Sequence, residues 1–138
     1  MSERHCIKAT VGAVVERDGL LLLEKRNNEP FKGKWCIPGG HIDFGEGVEE
    51  AVKREVEEET GYRVTEAEFF GYYTEYYPRL KWHAVALIFH TAVEGNPRRQ
   101  EAEVQEMAWF TPEDLHKLEF AFEHERILRD YLDRRAGK

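Results

Sequence analysis

A helix that carries three glutamates beside its own apolar stripe constrains this chain more than any other feature. The run from Gly40 to Tyr62 reads GHIDFGEGVEEAVKREVEEETGY. Its spacing predicts a helix over 47–60, entered from a glycine-rich turn and stopped by Gly61, the residue type favoured just past a helix C-terminus. At about 100° per residue, Glu58 falls about 60° to one side of Glu55 and Glu59 about 40° to the other. Like charges so placed cost a helix about 0.2–0.5 kcal/mol per pair. A solvated acidic face is the usual explanation of such a run. Here, however, Glu49, Glu50, Lys53 and Glu57 already supply a solvent side, and the triplet flanks the apolar stripe Val48, Val52 and Val56. Charge next to a core stripe is costly unless it is paired or ligated. A divalent cation removes both costs, and carboxylate oxygens are the hard ligands that Mg2+ or Mn2+ prefers.

Length and charge narrow the field further. The 138 residues suit one domain over 1–138 with a core of its own. The formal net charge of −7, with no local basic cluster, argues against binding a nucleic-acid duplex. A negatively charged substrate would need cations to bridge it to the protein. Cys6 and Cys36 form no CxxC pattern and suit a reducing, cytoplasmic setting. No apolar stretch is long enough to span a membrane, and the start MSERHCIK does not read as a signal peptide.

The rest of the chain alternates strands and turns. Residues 6–15 read as a strand, Arg17-Asp18-Gly19 as a hairpin turn and LLLLEKR (20–26) as the return strand. Trp35-Cys36-Ile37 is a short strand broken by Pro38-Gly39-Gly40, with a brief pairing segment expected at His41–Phe44. An aromatic-rich strand runs over 62–77 and ends at Pro78; another spans 82–93. After a turn at 94–97, a short strand covers 105–110. Thr111-Pro112 opens a helix, with Thr111 as N-cap, and a C-terminal helix is expected from about Phe120 to Arg135. The order predicts an α/β fold with a mixed sheet.

With glycine, helix and acids placed, the segment Gly40–x5–Glu46–x7–Arg54-Glu55-Val56-x-Glu58-Glu59-x-Gly61-Tyr62 resembles the Nudix box at every fixed position. The final position, usually aliphatic in that family, is Tyr62. The resemblance covers nearly the whole chain. It implies the Nudix fold, an α/β/α sandwich around a mixed β-sheet, and metal-dependent hydrolysis of a nucleoside diphosphate linked to another group. It also implies metal ligation by Glu55, Glu58, Glu59 and the Gly40 carbonyl, a structural pairing of Glu46 with Arg54, and an orienting role for Arg54. The general base is then a box glutamate, Glu58, or a later one, Glu103 or Glu106.

Substrate choice lies outside the box. Arg26 is a candidate phosphate contact. Trp35, His41 of the box loop and Tyr77 are candidate substrate contacts, and Tyr77 belongs to a tyrosine cluster with Tyr72, Tyr73 and Tyr76; the alternative for most of these aromatics is the core or sheet surface. Pro78 and the AFEHERIL segment (121–128) resemble features of members acting on ADP-ribose and related nucleotide sugars. Tyr76 and Tyr77 point instead to dinucleoside polyphosphates. The GGHIDFGE stretch also suits triphosphate pyrophosphatases of the MutT type. A homodimer through the outer strands is compatible with the family. A regulator without hydrolysis is the contrasting class, and the complete acidic triplet argues against it. No EF-hand loop supports a structural calcium site.

Overall fold

The computed structural model describes residues 5–137. The first four residues, part of the start that does not read as a signal peptide, lie outside that range.

Strand β1 (Lys8–Arg17) turns at Asp18-Gly19 into β2 (Leu20–Arg26), pairing Arg17 with Leu20. Both turn residues have positive φ, 54° and 78°, as the tight hairpin turn that matches strand twist requires. Then come β3 (Trp35–Cys36) and β4 (Gly39–His41). The brief pairing expected at His41–Phe44 lies earlier, at Gly39–His41 against Thr10–Gly12. Helix α1 (Val48–Thr60) is followed by the long β5 (Arg63–Tyr77), a 3₁₀ turn at Pro78–Leu80, β6 (Trp82–Glu94) and β7 (Val104–Phe110). Two expectations need correction. Pro112–Lys117 forms a 3₁₀ segment with no side-chain cap from Thr111. Helix α2 starts at His124, four residues later than expected, and ends at Arg135 as expected. The segment before it is engaged elsewhere: Phe120 bridges to Trp35, the Ala121 N–H donates to the Trp35 carbonyl at 2.8 Å, and Phe122 turns at φ 52°.

The strands form one mixed sheet. The chief path runs β3-β2-β1-β6-β5, with β4 on β1 and β7 on β2. Only β1 and β6 are parallel. One edge of β1 pairs with β4 at Thr10–Gly12 and then with β2 at Glu16 and Arg17, so β4 and β2 diverge along it. The cleft described below is lined from both of these strands.

Strand parity builds two cores. Val11, Ala13 and Val15 of β1 and Leu22 of β2 face Ala51, Val52 and Val56 of α1. Val14, Leu21 and Leu23 face the other way, against Ile127, Leu128 and Tyr131 of α2. Both sheet faces are therefore covered, which explains the near-continuous apolar runs at 11–15 and 20–23. The result is the expected α/β/α sandwich. No helix among the described residues is long and apolar enough to cross a membrane.

Candidate active site

Helix α1 presents its acids to the sheet because its caps and its stripe fix its rotation. Gly47 sits at the N-cap in an extended conformation, and Glu49 and Glu50 lie in the first turn, where the helix dipole favours negative charge. At the other end, Gly61 adopts φ 78°, and a Cβ there would lie 2.5 Å from the Arg98 backbone nitrogen. The Arg98 and Gln100 N–H groups donate to the carbonyls of Thr60 and Glu59, pinning the 98–103 loop to the end of the helix. The Asn27 N–H holds the same loop by donating to the Glu103 carbonyl at 3.0 Å.

These anchors bring Glu103 to the acids of α1. One carboxylate oxygen from each of Glu55, Glu59 and Glu103 lies within 4.8 Å of the others. At such separations two ionised carboxylates repel by about 3.5 kcal/mol at an effective dielectric of ~20. Protons or a cation must offset this. Glu59 is buried, and its Oε1 accepts from the Gly39 N–H at 3.2 Å. Gly40 lies so near Glu55 that a Cβ would sit 2.5 Å from its Oε2. The box glycines therefore let the β4 backbone approach the carboxylates.

A fourth acid, Glu24 of β2, went unread in the sequence. It is 4% exposed and lines the same cleft, and its Oε1 has no hydrogen-bond partner. Burial pushes its carboxyl up to about 7, opposed by a hydrogen bond with Glu59. Glu59 is pushed well above the ordinary carboxylate range, first by burial and then by the charge of Glu24. Strand parity is the signal that could have found Glu24. It lies two residues from Leu22, which faces α1.

Arg54 ties the helix to the preceding loop as expected. Its Nε and Nη2 donate to the two Glu46 oxygens at 2.6 and 2.9 Å, its Nη1 to Glu55 at 2.8 Å, and its Nη2 to the His41 carbonyl at 3.0 Å. These bonds from Arg54, with one from the Asp43 N–H, hold the Glu46 carboxyl down at about 2. Glu58 does not join the cluster. It stands exposed beside Arg54, 3.3 Å from Nη1.

A cleft of about 390 Å3 runs from the acids past Arg26 and His41 to Glu75, Trp82, Phe122 and His124. Arg26 donates from Nε to the Pro30 carbonyl and stacks its guanidinium 5.0 Å from the Phe122 ring. His41 lies edge-on to Trp82. The remaining candidates lie elsewhere. Trp35 packs edge-on to Phe110 against the α2-side core. Tyr77 donates its hydroxyl to Glu123 at 2.6 Å and packs on Phe31. Glu106 is exposed on β7, paired in register with Lys25.

Comparisons with known proteins give the family. The model of the NUDIX domain matches residues 7–131. The chain belongs to the Nudix hydrolase family. It is 37% identical over 127 residues to an ADP-ribose pyrophosphatase of Methanocaldococcus jannaschii, covering 92% of this chain and 74% of that protein. It is 30% identical to the nucleoside triphosphatase NudI of an Escherichia coli strain, covering 78% of this chain and 84% of the relative. Among solved structures, the NUDIX domain of Shewanella oneidensis NrtR complexed with ADP ribose superposes with a TM-score of 0.82 at 26% identity, covering 94% of this chain and 88% of that one. A MutT protein of Methanosarcina mazei Go1 superposes at 0.83 and 26% identity, covering 99% and 100%. The cleft of this Nudix hydrolase carries a cluster of three carboxylates whose oxygens lie within 4.8 Å of one another, a donor set that could hold a divalent metal.

Proposed function

We propose that this Nudix hydrolase cleaves the pyrophosphate link of a nucleoside diphosphate sugar, ADP-ribose first, with Mg2+ or Mn2+ held by Glu55 and Glu59. The observation that carries the reading is the convergence of Glu55, Glu59 and Glu103 at one end of the cleft. The residues fit such an ion. All three donors are hard oxygens, and the buried Glu24 Oε1 beside them lacks a partner. A bound ion there supplies neutralisation of the pyrophosphate charge and Lewis acidity. Binding it displaces the protons that raised affinity keeps on Glu24 and Glu59.

The chain's own residues do the rest. Arg54 fixes the Glu55 carboxylate and, through Glu46, the loop that carries Gly40. Arg26 offers a guanidinium between the two ends of the cleft for a phosphate. Of the three glutamates considered as the base, Glu103 lines the cleft, whereas Glu58 and Glu106 do not. Its carboxylate takes the proton of the attacking water. The new P–O bond forms as the bridging P–O bond breaks, and the products are AMP and ribose 5-phosphate.

Two observations favour the sugar. The 121–128 segment reaches the cleft through Phe122 and His124. The Tyr77 hydroxyl, which would mark a dinucleoside polyphosphate enzyme, is committed to Glu123. A second reading, a triphosphate pyrophosphatase of the MutT type, is favoured by the NudI relative. Chromatography of products from ADP-ribose and from a triphosphate panel, each with Mg2+, separates them. AMP plus ribose 5-phosphate is the expected outcome; a nucleoside monophosphate plus pyrophosphate as the sole turnover would overturn it.

A further inference from the structure

The end of the cleft away from the metal-type acids holds a polar group that the hydrolytic chemistry does not use. Glu75 of β5 is 3% exposed and lines the cleft. Its Oε1 accepts from Trp82 Nε1 at 3.1 Å. Its Oε2 lies 3.9 Å from His124 Nε2, too far for a direct hydrogen bond. His124 is itself fixed. Its Nδ1 accepts from the Ile37 N–H at 3.0 Å, which leaves the proton on Nε2, facing Glu75. Burial holds the imidazole neutral, with its pKa down at about 3. Oε2 thus makes no hydrogen bond to His124, and Glu75 lines the cleft, so a ligand there would meet an available acceptor.

We infer that Glu75 Oε2 and His124 Nε2 form a base-reading pair that hydrogen-bonds the edge of the substrate's nucleobase. The inference rests on the cleft being the nucleotide site. The pair offers an acceptor and a donor side by side, which is what a base edge with one ring nitrogen and one N–H requires. The surfaces around it are apolar and flat: Ile37, Ala86 and Ile88 lie on the cleft wall, and Trp82 and Phe122 pack with centroids 5.3 Å apart. Such walls suit a planar base and would leave most hydroxyls of a sugar unpaired. Two further charges act on Glu75. Burial raises its carboxyl to about 7, Glu123 adds to the rise, and Arg26 opposes it. The ionised carboxylate is the acceptor that the pair requires, and the Trp82 bond fixes its orientation.

Trp82 also supplies a probe that needs no catalysis. Adenosine, which has a base and a ribose but no phosphate, would be titrated into metal-free protein while tryptophan fluorescence is followed. Glu75→Gln and His124→Asn are the variants. The second keeps an acceptor for the Ile37 N–H and removes the Nε2–H. Thermal unfolding of each variant confirms that it is folded. The expected result is saturable adenosine binding, weakened at least tenfold in each variant, with 2′,3′-dideoxyadenosine bound as tightly as adenosine. In turnover, Glu75→Gln raises KM for the nucleotide about tenfold with kcat within twofold, and leaves kcat/KM for a base-free diphosphate ester of ribose unchanged. Unaltered adenosine binding by both variants would overturn the inference. So would an equal loss on the base-free ester, or a loss confined to ligands with an intact ribose diol. If ADP-ribose proves not to be a substrate while adenosine still binds through Glu75, the substrate assignment fails and the base-reading pair stands.

Discussion

The two ends of the cleft are built in opposite ways. At the acid end, Glu55 and Glu59 come from one helical turn, and the glycines that admit them, Gly39 and Gly40, come from β4 just before it. Only Glu24 and Glu103 arrive from afar. At the aromatic end, Glu75, Trp82, Phe122 and His124 come from β5, β6 and the entry to α2, separated by up to 49 positions. The acid end is electrostatically unfinished, with like charges converging and an orphaned oxygen. The aromatic end is nearly satisfied, with each ring packed on another and one carboxylate oxygen left over. The difference teaches that reaction class is a local property of this chain and substrate choice a long-range one. Metal-type chemistry needs a few carboxylates at fixed helical spacing. Recognition of a base needs a shaped wall, which only the assembled sheet provides.

The largest effect should come from breaking the acid end. Glu59→Gln keeps the shape and the Gly39 contact but removes a ligand charge. Turnover should fall roughly 10²–10³-fold, the scale of losing one preorganised electrostatic group, with Tm unchanged or higher. Steady-state kinetics with Mg2+ and differential scanning calorimetry check both halves; activity within threefold of wild type would place the chemistry elsewhere.

Glu58→Gln sharpens the contrast within the same helix. Glu58 sits outside the cluster, beside Arg54. Its loss should act on the metal requirement, raising the Mg2+ concentration for half-maximal rate by about 10–100-fold, as neighbours of metal ligands do. A loss of kcat at saturating Mg2+ as large as that of Glu59→Gln would make it a full member of the cluster.

Acidity offers a third test. The Glu24 and Glu75 carboxyls are raised from 4.5 to about 7 in the fold. Below about 4.5 both are protonated, folded or unfolded, and neither costs stability. As pH rises through 7 the unfolded chain ionises freely while the fold resists, so stability is lost. The Glu46–Arg54 pair has the opposite sign, and its contribution is lost only as pH falls from 4.5 towards about 2. Metal-free protein should therefore have a Tm several degrees higher at pH 5.5 than at pH 8. Mg2+ should recover the loss at pH 8, and Glu24→Gln should flatten the profile. A Tm that rises with pH in chelator would contradict the burial argument.

The smallest effect belongs to Glu106→Gln. The side chain is exposed on β7 and does not line the cleft. Turnover should change by less than about twofold, within the range of ordinary surface substitutions. A loss of about tenfold or more would reopen the choice between Glu103 and Glu106 as the base.

Much of the acid end was legible because its signals are local. Gly61 marks the end of α1, Asp18-Gly19 marks the hairpin, and the resemblance to the Nudix box implies the pairing of Glu46 with Arg54. Glu24 was missed because it hides in an apolar run, where its role depends on which helix covers that face. Glu75 shares the inward parity of Tyr73 on β5, while Tyr72 and Tyr76 point to solvent. An aromatic cluster in sequence thus splits into a buried half and an exposed half. Trp35 and Tyr77 were plausible contacts by residue type, but packing against Phe110 and the bond to Glu123 were not visible from composition. The late start of α2 was equally hidden, since Phe120 and Ala121 are bound to Trp35, a partner more than eighty positions away.

The most direct test of the acid end is Mn2+ binding followed by electron paramagnetic resonance, on wild type and on Glu59→Gln, each paired with ADP-ribose turnover. Wild type should bind Mn2+ at the cluster, and the variant should lose tight binding and turnover together. Undiminished Mn2+ binding by Glu59→Gln, with turnover intact, would contradict a metal held by these carboxylates.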